Sequence, residues 1–135
     1  MIEKLINLQK NSYSPYSNFA VSAIAVMKDG REFVGVNVEN AAYGACICAE
    51  RSAILSAISN GYKKGDFKEL FVMVSSGEIG TPCFQCRQVI SELFDKDCVV
   101  HCYSTKGEVK DYLVSELCPY PFGEEDLKWD VDLLV

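Results

Sequence analysis

The chain has 135 residues, with 13 Lys and Arg against 19 Asp and Glu, a single His, a net charge of −6 and 49% hydrophobic residues. That is enough chain for one ordinary soluble domain, burying roughly 65–70% of its unfolded surface without help from a disulfide, metal or partner. The acidic balance argues against binding a polynucleotide through its phosphates, which needs a basic face, and no apolar run approaches the roughly 20 residues that span a bilayer.

Residues 1–10 (MIEKLINLQK) set Glu3, Lys4, Asn7 and Lys10 among Ile2, Leu5, Ile6 and Leu8. This pattern predicts an amphipathic helix and lacks a secretory apolar core, so a cytoplasmic, reducing location is expected. Pro15 stops continuation through the turn-rich 11–18. The apolar run 19–27 (FAVSAIAVM), the Lys28-Asp29-Gly30 turn and the run 31–38 predict two antiparallel strands. Apolar residues at helical spacing predict a helix over 48–59, closed by Asn60-Gly61. A buried strand is expected at 70–74, and a second helix over 83–94 behind Thr81-Pro82. Two more strands, 99–103 and 108–113, flank Lys106-Gly107, and a short acidic tail follows. Paired strands that then alternate with helices give an α/β sandwich with a sheet of mixed direction. With no repeat or linker to divide it, residues 1–135 read as a single domain.

Seven cysteines are many for this length, and their odd number excludes a fully paired disulfide set. In a reducing compartment clustered cysteines are more often metal ligands or reactive thiols. Cys83 and Cys86 are three apart at a helix entrance, so their sulfurs share a face, and Cys48 supplies a third thiolate from another helix start. The positive ends of helices favour thiolates, and soft sulfur ligands select zinc. Three protein ligands leave a fourth position for water, the composition of a catalytic zinc site. Glu50, two residues from Cys48, points away from the sulfur and is suited to proton transfer beside the open position, as in the zinc deaminases of nucleobases. Arg51 and Arg87, each adjacent to this machinery, are candidates to offset the thiolate charge through hydrogen bonds to sulfur.

The chain resembles the small, homotetrameric cytidine deaminases. The match runs through Ser14-Pro15-Tyr16-Ser17-Asn18-Phe19, Gly35-Val36-Asn37-Val38-Glu39-Asn40-Ala41, Cys48-Ala49-Glu50-Arg51, Pro82-Cys83 with Cys86-Arg87-Gln88-Val89, and Cys118-Pro119-Tyr120-Pro121-Phe122. The resemblance implies a three-layer α/β/α sandwich with a mixed five-stranded sheet, one Zn²⁺ per subunit, and conversion of cytidine and 2′-deoxycytidine to uridine and 2′-deoxyuridine plus ammonia in pyrimidine salvage. It implies that Asn37 and Glu39 bind the ribose 3′-hydroxyl and that Phe19 packs on the base. Ala49 offers its backbone N–H to the pyrimidine carbonyl, Glu50 meets ring N3, and the Thr81 carbonyl accepts from the departing amine. Ala41, Tyr43 and Phe122 reach the sites of neighbouring subunits. Phe84 stands where the family usually has Gly, Val21-Ser22-Ala23-Ile24 replaces its Val-Gly-Ala-Ala, and Cys118-Pro119 replaces its Leu-Pro.

Two other readings use the same residues. Cys46, Cys48, Cys83 and Cys86 are able to make a closed structural zinc site, and deaminases of aminonucleoside antibiotics of the blasticidin S type share Cys-Ala-Glu. A polynucleotide deaminase would need basic and aromatic tracks. His101 is expected to be a hydrogen-bonded strand residue, Cys98 and Cys102 buried thiols, and Trp129 a packing or contact residue.

Overall fold

In the computed structural model, which describes residues 1–128, the two runs flanking Lys28-Asp29-Gly30 pair as expected. They form strands β1 (Val21–Met27) and β2 (Glu32–Val36), antiparallel with Ala23 opposite Gly35. Gly30 takes φ +94° in the turn, a conformation that suits Gly. Helix α1 (Ile2–Gln9) precedes them, and α2 (Ala49–Ser59), β3 (Phe67–Val74), α3 (Phe84–Leu93), β4 (Phe94–Ser104), β5 (Val109–Leu113) and the one-turn α4 (Val114–Leu117) follow. The strands make one sheet in the order β2-β1-β3-β4-β5. The β3–β4 pair is parallel and the others antiparallel, so the sheet is mixed and five-stranded as the resemblance implied.

Strand periodicity explains the layers. Along β1, Val21, Ala23, Ala25 and Met27 enter the larger core, shared with Ala53, Ile54 and Ala57 of α2 and Ile90 of α3. The alternate residue Ile24 meets Leu5 of α1 and Met73 of β3 on the opposite face. β1 is therefore covered on both sides, which accounts for its nearly unbroken apolar run. The one buried hydroxyl there is satisfied, since Ser22 donates to the Leu5 carbonyl at 2.8 Å.

Several boundaries differ from expectation. β3 begins at Phe67 and β4 at Phe94, both earlier than the apolar runs suggested, because Phe67 pairs with Phe94 across the parallel ladder. Cys48 and Cys83 lie just outside their helices, with extended backbones. The tail contains α4, too short at four residues to show periodicity. His101 bridges Asp111 at 2.7 Å and Glu69 at 2.9 Å, tying β3, β4 and β5 as a hydrogen-bonded strand residue. Cys102 is buried in the larger core as expected, whereas Cys98 is only half-buried against it, and burial pushes the Cys102 thiol up to about 12. Trp129 lies outside the described residues.

Candidate active site

Helices α2 and α3 bring their N-termini together at one end of the sheet. The approach of α2 is allowed by Gly35 on β2. A Cβ there would stand 2.5 Å from the Ala49 carbonyl oxygen and 2.5 Å from the Ala53 nitrogen. Cys48 and Cys83 are the N-caps of the two helices, and neither side chain bonds back to its own helix, so both sulfurs are free to face each other. Cys86 joins them from the first turn of α3, fully buried.

The three sulfurs lie within 4.8 Å of one another, and the Cys48 and Cys83 Sγ atoms are 3.7 Å apart. A tetrahedral zinc with bonds of about 2.3 Å to sulfur requires S···S separations of about 3.8 Å, so the cluster fits that ion in donor type and spacing. Cys46 stands apart. Its Sγ accepts the Asn40 N–H at 3.2 Å within its own loop, so the closed four-cysteine arrangement is not the one adopted. Hydrogen bonding from Cys86, then from Arg51 and Cys83, lowers the Cys48 thiol to about 5, whereas the same contact with Cys48 and burial raise Cys86.

Glu50 is only 5% exposed, yet it lines the adjoining cavity. Burial, reinforced by the Cys48 thiolate, pushes its carboxyl up to about 7. A carboxyl so placed can both take and return a proton near neutral pH. Ala49, the first residue of α2, carries a backbone N–H that the helix itself does not use.

The two arginines part company. Arg51 Nη2 donates to Cys48 Sγ at 3.5 Å and to Gln85 Oε1 at 3.3 Å, as expected of a group offsetting thiolate charge. Its Nε is buried without a partner. Arg87, expected to reach sulfur, instead donates to the Pro82 carbonyl at 2.7 Å, the Leu117 carbonyl at 2.9 Å and Thr81 Oγ1 at 2.7 Å. The carbonyls are its better acceptors, and it braces the loop that carries Cys83. Its guanidinium also lies 4.4 Å from the Phe84 ring centroid. Phe84 is 74% exposed and does not line the cavity.

The cavity beside the sulfurs has a volume of about 480 Å³, within the range of small-molecule sites. Phe19, Asn37, Glu39, Tyr43, Ala49 and Thr81 line it together with Glu50. Ala41 and Phe122 do not. Tyr43 also lines this chain's cavity. It is 82% exposed, which puts the ring at the mouth.

Asn37 and Glu39 are defined by what their hydrogen bonds leave over. Asn37 Oδ1 accepts from the Val21 N–H at 2.9 Å and from the Ser12 hydroxyl, and Nδ2 donates to the Phe19 carbonyl at 2.7 Å. One amide hydrogen remains. Glu39 accepts the Tyr16 and Ser17 N–H groups at 3.0 and 3.2 Å on Oε1 and the Ser17 hydroxyl on Oε2. These bonds, the Ser17 hydroxyl foremost, hold its carboxyl below the usual range. About one acceptor site remains. The two side chains thus leave one donor and one acceptor on the wall of the same cavity, a set that complements a hydroxyl group.

Ser12, Ser17 and Gln85 were not anticipated. Their only sequence mark is the density of polar residues in the 11–18 turn and the place of Gln85 between Cys83 and Cys86, neither of which says which group meets which.

The family model for the cytidine and deoxycytidylate deaminase zinc-binding region matches residues 1–102. A cytidine deaminase of Halalkalibacterium halodurans is 39% identical over 127 residues, 94% of this chain and 95% of that protein. One from Sporosarcina psychrophila is 37% identical over 132 residues, 95% and 96% of the two chains. The crystal structure of cytidine deaminase from Burkholderia pseudomallei superposes with a TM-score of 0.85 at 40% identity, covering 90% of this chain and 95% of that one.

Proposed function

The chain belongs to the cytidine and deoxycytidylate deaminase family, and from that premise we infer that it hydrolyses cytidine and 2′-deoxycytidine to uridine and 2′-deoxyuridine plus ammonia. The observation that carries this reading is the three-thiolate cluster with Glu50 buried beside it at the wall of a nucleoside-sized cavity. Cys48, Cys83 and Cys86 would hold zinc, and the ion would supply Lewis-acid activation of water.

The chain's own residues do the remainder. Glu50 takes the proton of the attacking water, delivers it to ring N3, and then moves a proton to the C4 amino nitrogen, which leaves as ammonia. The Ala49 N–H holds the pyrimidine carbonyl, and the Thr81 carbonyl accepts from the amine as it departs. Phe19 packs on the base. Asn37 donates to the ribose 3′-hydroxyl while Glu39 accepts from it, so both the ribose and the 2′-deoxyribose series bind. This intact donor–acceptor pair favours the nucleoside reading over an antibiotic-deaminating one.

A homotetramer with shared sites is the assembly this reading carries. It is supported by Ala41 and Phe122 standing outside the cavity and by the exposed rings of Tyr43, Phe84 and Phe122. The acidic charge favours a neutral nucleoside over nucleic acid or membrane. A single domain acting in pyrimidine salvage in the cytoplasm completes the proposal.

The test is direct. Purified zinc-loaded protein mixed with cytidine should show the ultraviolet change of uridine formation, and Glu50→Gln should keep about one zinc per chain while losing turnover by roughly 10³-fold or more. A zinc-loaded wild type without activity would refute the function; an active Glu50→Gln would refute the assigned proton path.

A further inference from the structure

We propose that Ser17 is a positioning residue that aims the one free acceptor of Glu39 at the substrate's sugar hydroxyl. The inference rests on the reading that Glu39 binds that hydroxyl, and it deepens it.

The Ser17 hydroxyl has a fixed sense. Its Oγ accepts the Phe19 N–H at 3.0 Å, so its single hydrogen is free to go elsewhere, and it goes to Glu39 Oε2. The Ser17 backbone N–H meanwhile reaches Oε1 of the same carboxylate at 3.2 Å, alongside that of Tyr16 at 3.0 Å. Both oxygens are thus held from one short turn, which fixes the plane of the carboxylate. Without the hydroxyl, Oε2 would have no protein donor, and only the two N–H bonds on Oε1 would restrain the carboxylate, leaving it room to twist about its last bond. Binding a hydroxyl would then carry an ordering cost that the native chain avoids by preorganisation. A charge-assisted bond of this kind is among the stronger ones a side chain makes.

The turn itself does not depend on this hydroxyl. Tyr13 N–H donates to the Asn37 carbonyl at 3.1 Å and Glu39 N–H to the Tyr13 carbonyl at 2.8 Å, docking the segment through its backbone. Ser17 is also exposed, so its truncation leaves no core cavity.

The experiment compares kcat/KM for cytidine and for 3′-deoxycytidine, which lacks the hydroxyl, in zinc-loaded wild type, Ser17→Ala, Ser17→Thr and Glu39→Gln. Ser17→Ala should shrink the preference for cytidine roughly tenfold, chiefly through KM, while 3′-deoxycytidine turnover changes by less than about threefold. Ser17→Thr, which keeps the hydroxyl, should restore the preference. General damage to the turn would slow both substrates equally, so an unchanged ratio in Ser17→Ala, with a collapsed ratio in Glu39→Gln, overturns the inference. A ratio lost alike in the Ala and Thr variants overturns it too, because the hydroxyl would not be the responsible group. A ratio unchanged in Glu39→Gln refutes the assignment of Glu39 itself, and the Ser17 inference with it.

Discussion

Arg51 and Arg87 occupy similar places in the sequence, each directly after a residue of the proposed zinc and proton machinery, and their atoms do different things. Arg51 touches a thiolate and is steadied by Gln85, so Arg51→Gln should weaken zinc binding by about 10–100-fold, the usual cost of losing an outer partner of a metal ligand. Arg87 holds two carbonyls and a hydroxyl. Arg87→Gln should lower the melting temperature while folded protein keeps near-native zinc affinity, measurable by competition with a chromogenic chelator. Equal loss of zinc affinity in both variants would contradict this division. At this scale the sequence was readable where spacing is local: Cys83 and Cys86 share a helix turn, and Glu50 stands two residues from Cys48 by the same geometry. It was silent about Ser17 and Glu39, which meet across 22 residues of chain through one rotatable hydroxyl.

Among the elements, the seam between α2 and β2 has the least tolerance. Gly35 faces backbone atoms at 2.5 Å rather than the tips of flexible side chains, so nothing nearby can yield cheaply. Gly35→Ala should destabilise the protein by ~3 kcal/mol, at or beyond the upper end for overpacking, and should shift the start of α2 with Cys48 and Glu50. Denaturant unfolding reads the first effect, and zinc content of the folded fraction reads the second. A variant with native stability would show that the helix can move aside at no cost. The same seam explains what was legible about the elements. Apolar runs and turn residues foretold β1 and β2, and helical spacing foretold α2 and α3, because those signals are written within single elements. The early starts of β3 and β4 come from the Phe67–Phe94 pairing, a long-range contact without a local mark. The four residues of α4 are too few to display a period.

For the molecule as a whole, the sheet order places β3 centrally, with β1 and β4 as its neighbours. Among the described residues no helix is long and apolar enough to cross a membrane. Cys48 precedes α2 and β3 in the chain, and Cys83 and Cys86 follow them. A metal joining these sulfurs closes a ring of roughly 35 residues around the central strand, a cross-link whose effect on chain entropy compares with that of a disulfide, about 3–4 kcal/mol. Chelation should therefore lower the melting temperature by roughly 10 °C, at about 3–4 °C per kcal/mol for a chain of this size. The fall should reverse on adding zinc, and a melting temperature indifferent to chelator would show that the folded ring holds itself. One ion thus serves reaction and architecture together. A cell short of zinc would lose the activity and, by slackening the middle of the sheet, also shorten the life of the protein against proteases, making metal supply a control on abundance.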